Sequence, residues 1–197
     1  MQEIIKNQIK SSVDIKQKIL DSPEIISGIE NTSKAIISAF RNKNKLLLAG
    51  NGGSAADAQH IAAEFVNRFG FDRPALNAIA LTTDTSVITS IGNDSGFENV
   101  FARQIEALGN EGDVFIGIST SGTSENIIRA LNTCRKEKLV TVGLTGIFGG
   151  PMKDLCDFFV KVPSGETPRI QEAHNLIGHI ICSLVENELF EREKPDE

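Results

Sequence analysis

The chain has 197 residues, 40% hydrophobic and 23% charged, and its 26 acidic against 20 basic side chains give a net charge of −6. A chain of this size buries roughly 70% of its extended surface, so it can hold a core without disulfides or metals, and its composition excludes wholesale disorder. The acidic balance argues against a general nucleic-acid binder, which needs a basic face, and no apolar run approaches the ~20 residues of a membrane span.

Residues 3–20 carry Ile4, Ile5, Ile9, Val13, Ile15, Ile19 and Leu20 within about half of a helix circumference, which predicts an amphipathic helix. Asp21 or Ser22 can cap a second helix, with Pro23 in its tolerated first turn and Ile25, Ile26, Ile29, Ile36, Ile37 and Phe40 as its apolar stripe. Two striped helices are more than a minimal sheet needs. Packing on another subunit and packing on the chain's own sheet both account for them.

From residue 45 the texture changes to short apolar runs at 46–49, 78–81, 114–118, 140–144 and 158–162. Helical patterns over 54–69, 84–108, 123–137 and briefly 151–156 separate them, and a last amphipathic helix spans 167–191 before a charged tail expected to fray. Continuous apolar strands alternating with crossover helices imply a parallel sheet covered on both faces. No repeat or linker interrupts the pattern, so a single domain over 1–197 is expected. Cys134, Cys156 and Cys182 are widely spaced and outside any CxxC pattern, as expected of reduced thiols in the cytoplasm, and Met1–Lys10 has no apolar h-region.

Ligands of such sheets bind beyond the carboxyl ends of the strands. After the first strand, Gly50-Asn51-Gly52-Gly53-Ser54-Ala55 opens a helix, where glycines admit a ligand to the backbone and free N–H groups favour an anion. A tight strand-to-helix turn would need the same glycines. The loose G-x-G-x-x-A pattern raises a dinucleotide, but Asp84 comes about thirty residues later where that fingerprint expects about twenty, and no Gly-Lys-Ser/Thr follows for a Walker loop. After the third strand, Ser119-Thr120-Ser121-Gly122-Thr123-Ser124 places five hydroxyls in six positions at a helix start, more than capping requires. No Lys or Arg lies in that loop.

The three histidines lie on two of the predicted helices. His60 and Glu64 share a face at i, i+4 spacing, beside the apolar Ile61, Ala62, Ala63 and Phe65. On the last helix Gln171 and His174 share a face, with His179 two turns on and about 80° round. His174 reads as a core histidine, while for His179 a core role and a chemical role are both open. Phosphate cradle, glycine loop, carboxylate and imidazole together suit proton transfer on a phosphorylated sugar.

The segments Gly50–His60, Arg73-Pro74-Ala75, Gly92-Asn93-Asp94, Gly112–Gly122 and Arg169-Ile170-Gln171-Glu172 resemble the phosphoheptose isomerase family of sugar-isomerase (SIS) domain proteins. That resemblance implies a three-layer flavodoxin-like α/β fold, with a five-stranded parallel sheet, helices on both faces and an N-terminal helical hairpin. It implies a cytoplasmic homotetramer with shared sites, residues 1–43 serving oligomerisation and 44–192 forming the core. The implied reaction converts D-sedoheptulose 7-phosphate, a phosphorylated seven-carbon ketose, to D-glycero-D-manno-heptose 7-phosphate through an enediol. The family's base falls on Glu64 and its acid on His179; one zinc ion per subunit falls on His60, Glu64, Gln171 and His179. Sugar contacts fall on Asn51, Gly52, Gly53, Glu64, Asn93 and Asp94, and phosphate contacts on Ser119, Thr120, Ser121 and Ser124, with Gln171 near the reacting end. No nucleotide, nucleic acid or membrane partner is expected. Thr167-Pro168 stands where some members carry an acid, so this chain manages either without that acid or with Glu166. The rival reading is a non-catalytic SIS-domain tetramer that binds a replication initiator or senses a sugar phosphate. Such proteins resemble the isomerases with base and acid replaced, and here Glu64 and His179 are both present.

Overall fold

A computed structural model describes residues 1–190 as an α/β sandwich of three layers. Helices α1 (Gln2–Leu20) and α2 (Pro23–Arg41) lead into β1 (Leu46–Gly50), α3 (Gly53–Val66) and β2 (Ala78–Ala80). Then come α4 (Thr85–Ser95), α5 (Ala102–Leu108), β3 (Val114–Ser119), α6 (Glu125–Lys136), β4 (Val140–Thr145), β5 (Phe158–Lys161) and α7 (Thr167–Leu189). The end of the expected last helix, the last positions of the 44–192 segment and the charged tail lie outside the described residues.

All strand pairs are parallel and the order is β2-β1-β3-β4-β5. The pleat sends successive side chains to opposite faces. Leu46 and Leu48 join Val114, Ile116, Val142 and Leu144 in a core beneath α1, α2, α3 and α7. Leu47 and Ala49 join Phe115 in the other core, beneath α5 and α6 with α4 at its margin. Every residue of β1 and β3 is buried, which is why these strands read as unbroken apolar runs.

The two leading helices differ in how much of their apolar stripes they bury within the chain. Ser22 caps α2 by accepting from the Ile25 N–H, and α2 buries Ile25, Ile29 and Ile36 on the chain's own sheet. α1 buries only Ile15 and Ile19; before them Ile4, Ile5, Ile9 and Val13 face solvent, each more than half exposed.

The expected helix over 84–108 is corrected to two. Gly96 has φ of 92°, a left-handed conformation that ends α4, and a 3₁₀ turn at Phe97–Asn99 redirects the chain into α5. The periodic apolar residues continue across this break, so spacing alone reads it as one helix.

Two buried polar groups hold the site-bearing helices. The Glu186 carboxylate on α7 accepts from the Phe69 and Gly70 N–H groups and from Arg73 Nε at 2.9 Å; burial pushes its pKa up, and these donors with the Arg73 charge outweigh burial and leave it below the ordinary range. Arg73 also donates to the Glu64 carbonyl at 2.8 Å and the Phe65 carbonyl at 2.7 Å, satisfying the open end of α3. His174 is fully buried, with Nε2 3.2 Å from the Thr145 carbonyl and Nδ1 unpartnered. Burial pulls its pKa down from 6.5 to about 4, opposed by the bond to Thr145.

Both groups carry expected outcomes. Glu186→Ala leaves Arg73 buried and uncompensated, and should cost about 3–5 kcal/mol in urea unfolding; a loss below ~1 kcal/mol would contradict the clasp. An unfolded chain protonates His174 near pH 6.5, whereas the folded chain resists until about pH 4. The stability from the neutral ring is therefore complete above pH 6.5 and is lost as pH falls toward 4, by on the order of 3 kcal/mol. His174→Gln should flatten that part of the stability–pH curve; an unchanged slope would place the titration elsewhere.

Candidate active site

Strand order reverses at β1, with β2 on one side and β3 on the other, so the chain leaves β1 and β3 in opposite directions and opens a crevice at their carboxyl ends. Two loops border it. The Asn51 side chain after β1 exchanges two 2.9 Å hydrogen bonds with Asn126 at the start of α6, tying the glycine loop to the hydroxyl loop. Beside this pair lies a cavity of about 560 Å³, lined by Asn51, Ser124, Asn126, Phe97, Glu98 and Arg129.

In the hydroxyl loop, Ser119 Oγ lies 2.8 Å from Ser124 Oγ, and Ser121 Oγ 2.8 Å from Thr123 Oγ1. Ser124 is the N-cap residue of α6, yet its hydroxyl makes no capping bond. Ser119 and Ser121 also accept from the Gly122 and Thr123 N–H groups, so the hydroxyls gather at the start of α6, where the first N–H groups of a helix favour an anion. The backbone of Thr120 accepts from the Gly146 N–H after β4, which fixes the loop from its far side. Arg129, one turn into α6, is the nearby cation; it is held by Glu125 at 2.9 Å and Glu98 at 3.9 Å.

The seam between α3 and α7 carries the titratable groups. Contacts advance together along both helices: Gly53 against Gln171, His60 against Asn175 and His179, Ile61 against Gly178. The two helices thus run in the same direction. A Cβ on Gly53 would meet only the movable Gln171 amide, whereas one on Gly178 would come within 2.8 Å of Ile61 Cδ1 and 2.9 Å of its Cγ1, so the small residue at 178 lets the helices approach.

His60 Nε2 lies 3.1 Å from Glu64 Oε1 and 3.3 Å from His179 Nε2. The two rings meet edge to face with centroids 4.9 Å apart, and Phe69 packs on His179 at 5.4 Å. Ligand atoms of His60, Glu64 and His179 all lie within 4.8 Å of one another, close enough to hold a metal ion jointly. Two imidazoles and a carboxylate form a nitrogen–oxygen donor set that suits zinc. The same groups are suited to moving protons.

Gln171 lies across Gly53 at the α7 start. Asn93 and Asp94 sit exposed near the end of α4, with Asn93 Nδ2 donating to Asp94 Oδ1 at 2.7 Å. Glu166 is exposed before α7, its N–H bonded to Ser164 Oγ. The three thiols are free, and burial raises all of them, Cys156 and Cys182 to about 12, so none is an activated nucleophile.

Sequence reasoning overlooked two neighbours of His60. Asp57, one turn earlier on α3, has Oδ2 buried without a hydrogen-bond partner; burial lifts its carboxyl above the ordinary range and His60 opposes the shift. Asn175 touches His60 Nδ1 at 3.1 Å. The signal for it was its place midway between Gln171 and His179 at i+4 spacing.

Known proteins share this sequence pattern and this fold. The SIS domain family matches residues 9–146. Phosphoheptose isomerase 2 of Campylobacter jejuni subsp. jejuni is 60% identical over 94% of this chain and 92% of that protein. The phosphoheptose isomerase of Aneurinibacillus thermoaerophilus is 59% identical over 96% of each. Among solved structures, a phosphoheptose isomerase from Francisella tularensis matches with a TM-score of 0.90 at 37% identity, over 94% of this chain and 98% of that one. One from Neisseria gonorrhoeae matches at 0.87 and 40% identity, over 93% and 97%.

Proposed function

The chain belongs to the phosphoheptose isomerase family of SIS-domain proteins, and from that premise we propose a role for each group in its crevice. The chemistry is aldose–ketose isomerisation of D-sedoheptulose 7-phosphate to D-glycero-D-manno-heptose 7-phosphate. A non-catalytic binding partner or sensor has no need of a base and an acid side by side.

Glu64 is the base. It takes a proton from C1 of the ketose while the C2 carbonyl oxygen gains one, giving an enediol. Return of a proton to C2 and loss of the proton on O1 then leave the aldehyde at C1. His179 is the acid that gives and takes protons at the two oxygens. The observation that carries this reading is the 3.1 Å and 3.3 Å contacts that gather Glu64, His60 and His179 on the α3–α7 seam.

The phosphate is held by Ser119, Thr120, Ser121 and Ser124 with the α6 N-terminus. Asn51, Gly52, Gly53, Asn93 and Asp94 take the sugar hydroxyls, and Gln171 lies near the reacting carbons. The donor set fits zinc, one ion per subunit, on His60, Glu64 and His179 with the Gln171 amide as fourth ligand. When bound, the metal polarises the substrate carbonyl and offsets the charge of the enediol oxygens. Glu64 has a second oxygen beyond the one that faces His60, and this is the one that reaches the C1 proton.

The exposed Ile4, Ile5, Ile9 and Val13 on α1 support self-association through residues 1–43 into a homotetramer, around a catalytic unit of 44–192. Free cysteines support a reducing, cytoplasmic setting.

Glu64→Gln should lower turnover of sedoheptulose 7-phosphate by about 10²–10⁴, while the affinity for the phosphorylated sugar stays within a few-fold. Near-parental turnover would remove Glu64 from the proton transfer.

A further inference from the structure

Asn175 stands on α7 one helical turn after Gln171 and one turn before His179. Its Nδ2 is 3.1 Å from His60 Nδ1, while the other ring nitrogen of His60 faces Glu64 Oε1 and His179 Nε2. His60 is therefore gripped at both nitrogens. A neutral imidazole carries one proton, so the group at Nδ1 decides what Nε2 can do.

An amide N–H donated to Nδ1 needs a lone pair there. The ring proton then sits on Nε2, where Glu64 accepts it. Turned by half a rotation, the amide presents Oδ1, accepts a proton from Nδ1, and leaves the Nε2 lone pair free toward the Glu64 and His179 ligand atoms. An amide can serve either state, a carboxylate only the second, and an alkyl side chain neither.

We propose that Asn175 is a positioning residue that selects the protonated nitrogen of His60. In the metal-free chain it holds His60 as an Nε2–H donor to Glu64; on uptake of a divalent metal its amide turns and holds the Nδ1–H form. The second half rests on the zinc reading above, whereas the first stands on the hydrogen bonds alone.

The test uses the full chain and two variants, N175L and N175D, with thermal melts to verify folding. Histidine ¹⁵N NMR on metal-free protein, at a pH where the rings are neutral, reads the tautomer of His60. Competition against a chromophoric chelator reads zinc affinity. The parent should show His60 protonated on Nε2 and N175D should show the proton on Nδ1. Zinc affinity should fall about 10–100-fold in N175L and not fall in N175D. A parent ring protonated on Nδ1, or zinc affinities within twofold across all three proteins, would overturn the proposal. A parent that takes up no zinc while its His60 tautomer still follows residue 175 would overturn the metal reading and uphold the first half.

Discussion

The close parallel approach of α3 and α7 is the constraint on which the rest of the site depends. It is set at two levels: Gly178 gives room to Ile61, and Glu186 closes the far end on Phe69, Gly70 and Arg73. Helical spacing already pairs His60 with Glu64, and the helix approach brings His179 to them. None of the three is fully buried, whereas Ile61, Gly178 and Glu186, which pack the two helices together, are. Arg73 joins both tasks, since the guanidinium that pairs with Glu186 also holds the carbonyl of Glu64 itself.

The sheet supplies the second half of the arrangement. Because strand order reverses at β1, the loops after β1 and β3 diverge around one crevice, and the Asn51–Asn126 pair sets their separation. A phosphorylated sugar needs an anchor at one end and proton transfer at the other. In the proposed reading the hydroxyl loop with the α6 N-terminus serves the first need and the α3–α7 seam the second.

Much of this was legible in the residues. Strands buried on both faces write themselves as unbroken apolar runs, and all five runs became strands. The shared face of His60 and Glu64 followed from helical spacing, and His174 read correctly as a core residue because its neighbours are apolar. The helix break at Gly96 was not legible, since the apolar period runs through it and only a left-handed φ ends the helix. Asn175 was legible only in part: its i+4 place between Gln171 and His179 put it on their face, but its contact with His60 exists only because α3 docks there. His60 and His179 are 119 residues apart, and their meeting is a fact of packing that no local pattern encodes. The resemblance to a known family, not the spacing, put base and acid on Glu64 and His179.

The central claim is that isomerisation proceeds by proton transfer through an enediol at Glu64. Its most direct test is conversion of sedoheptulose 7-phosphate in D₂O, with NMR reading of hydrogen at C2 of the aldose product. A proton carried on a carboxylate exchanges with solvent, so the account predicts deuterium at C2. Complete retention of the substrate's C1 hydrogen at C2, with no solvent deuterium, would indicate direct hydride migration and contradict it.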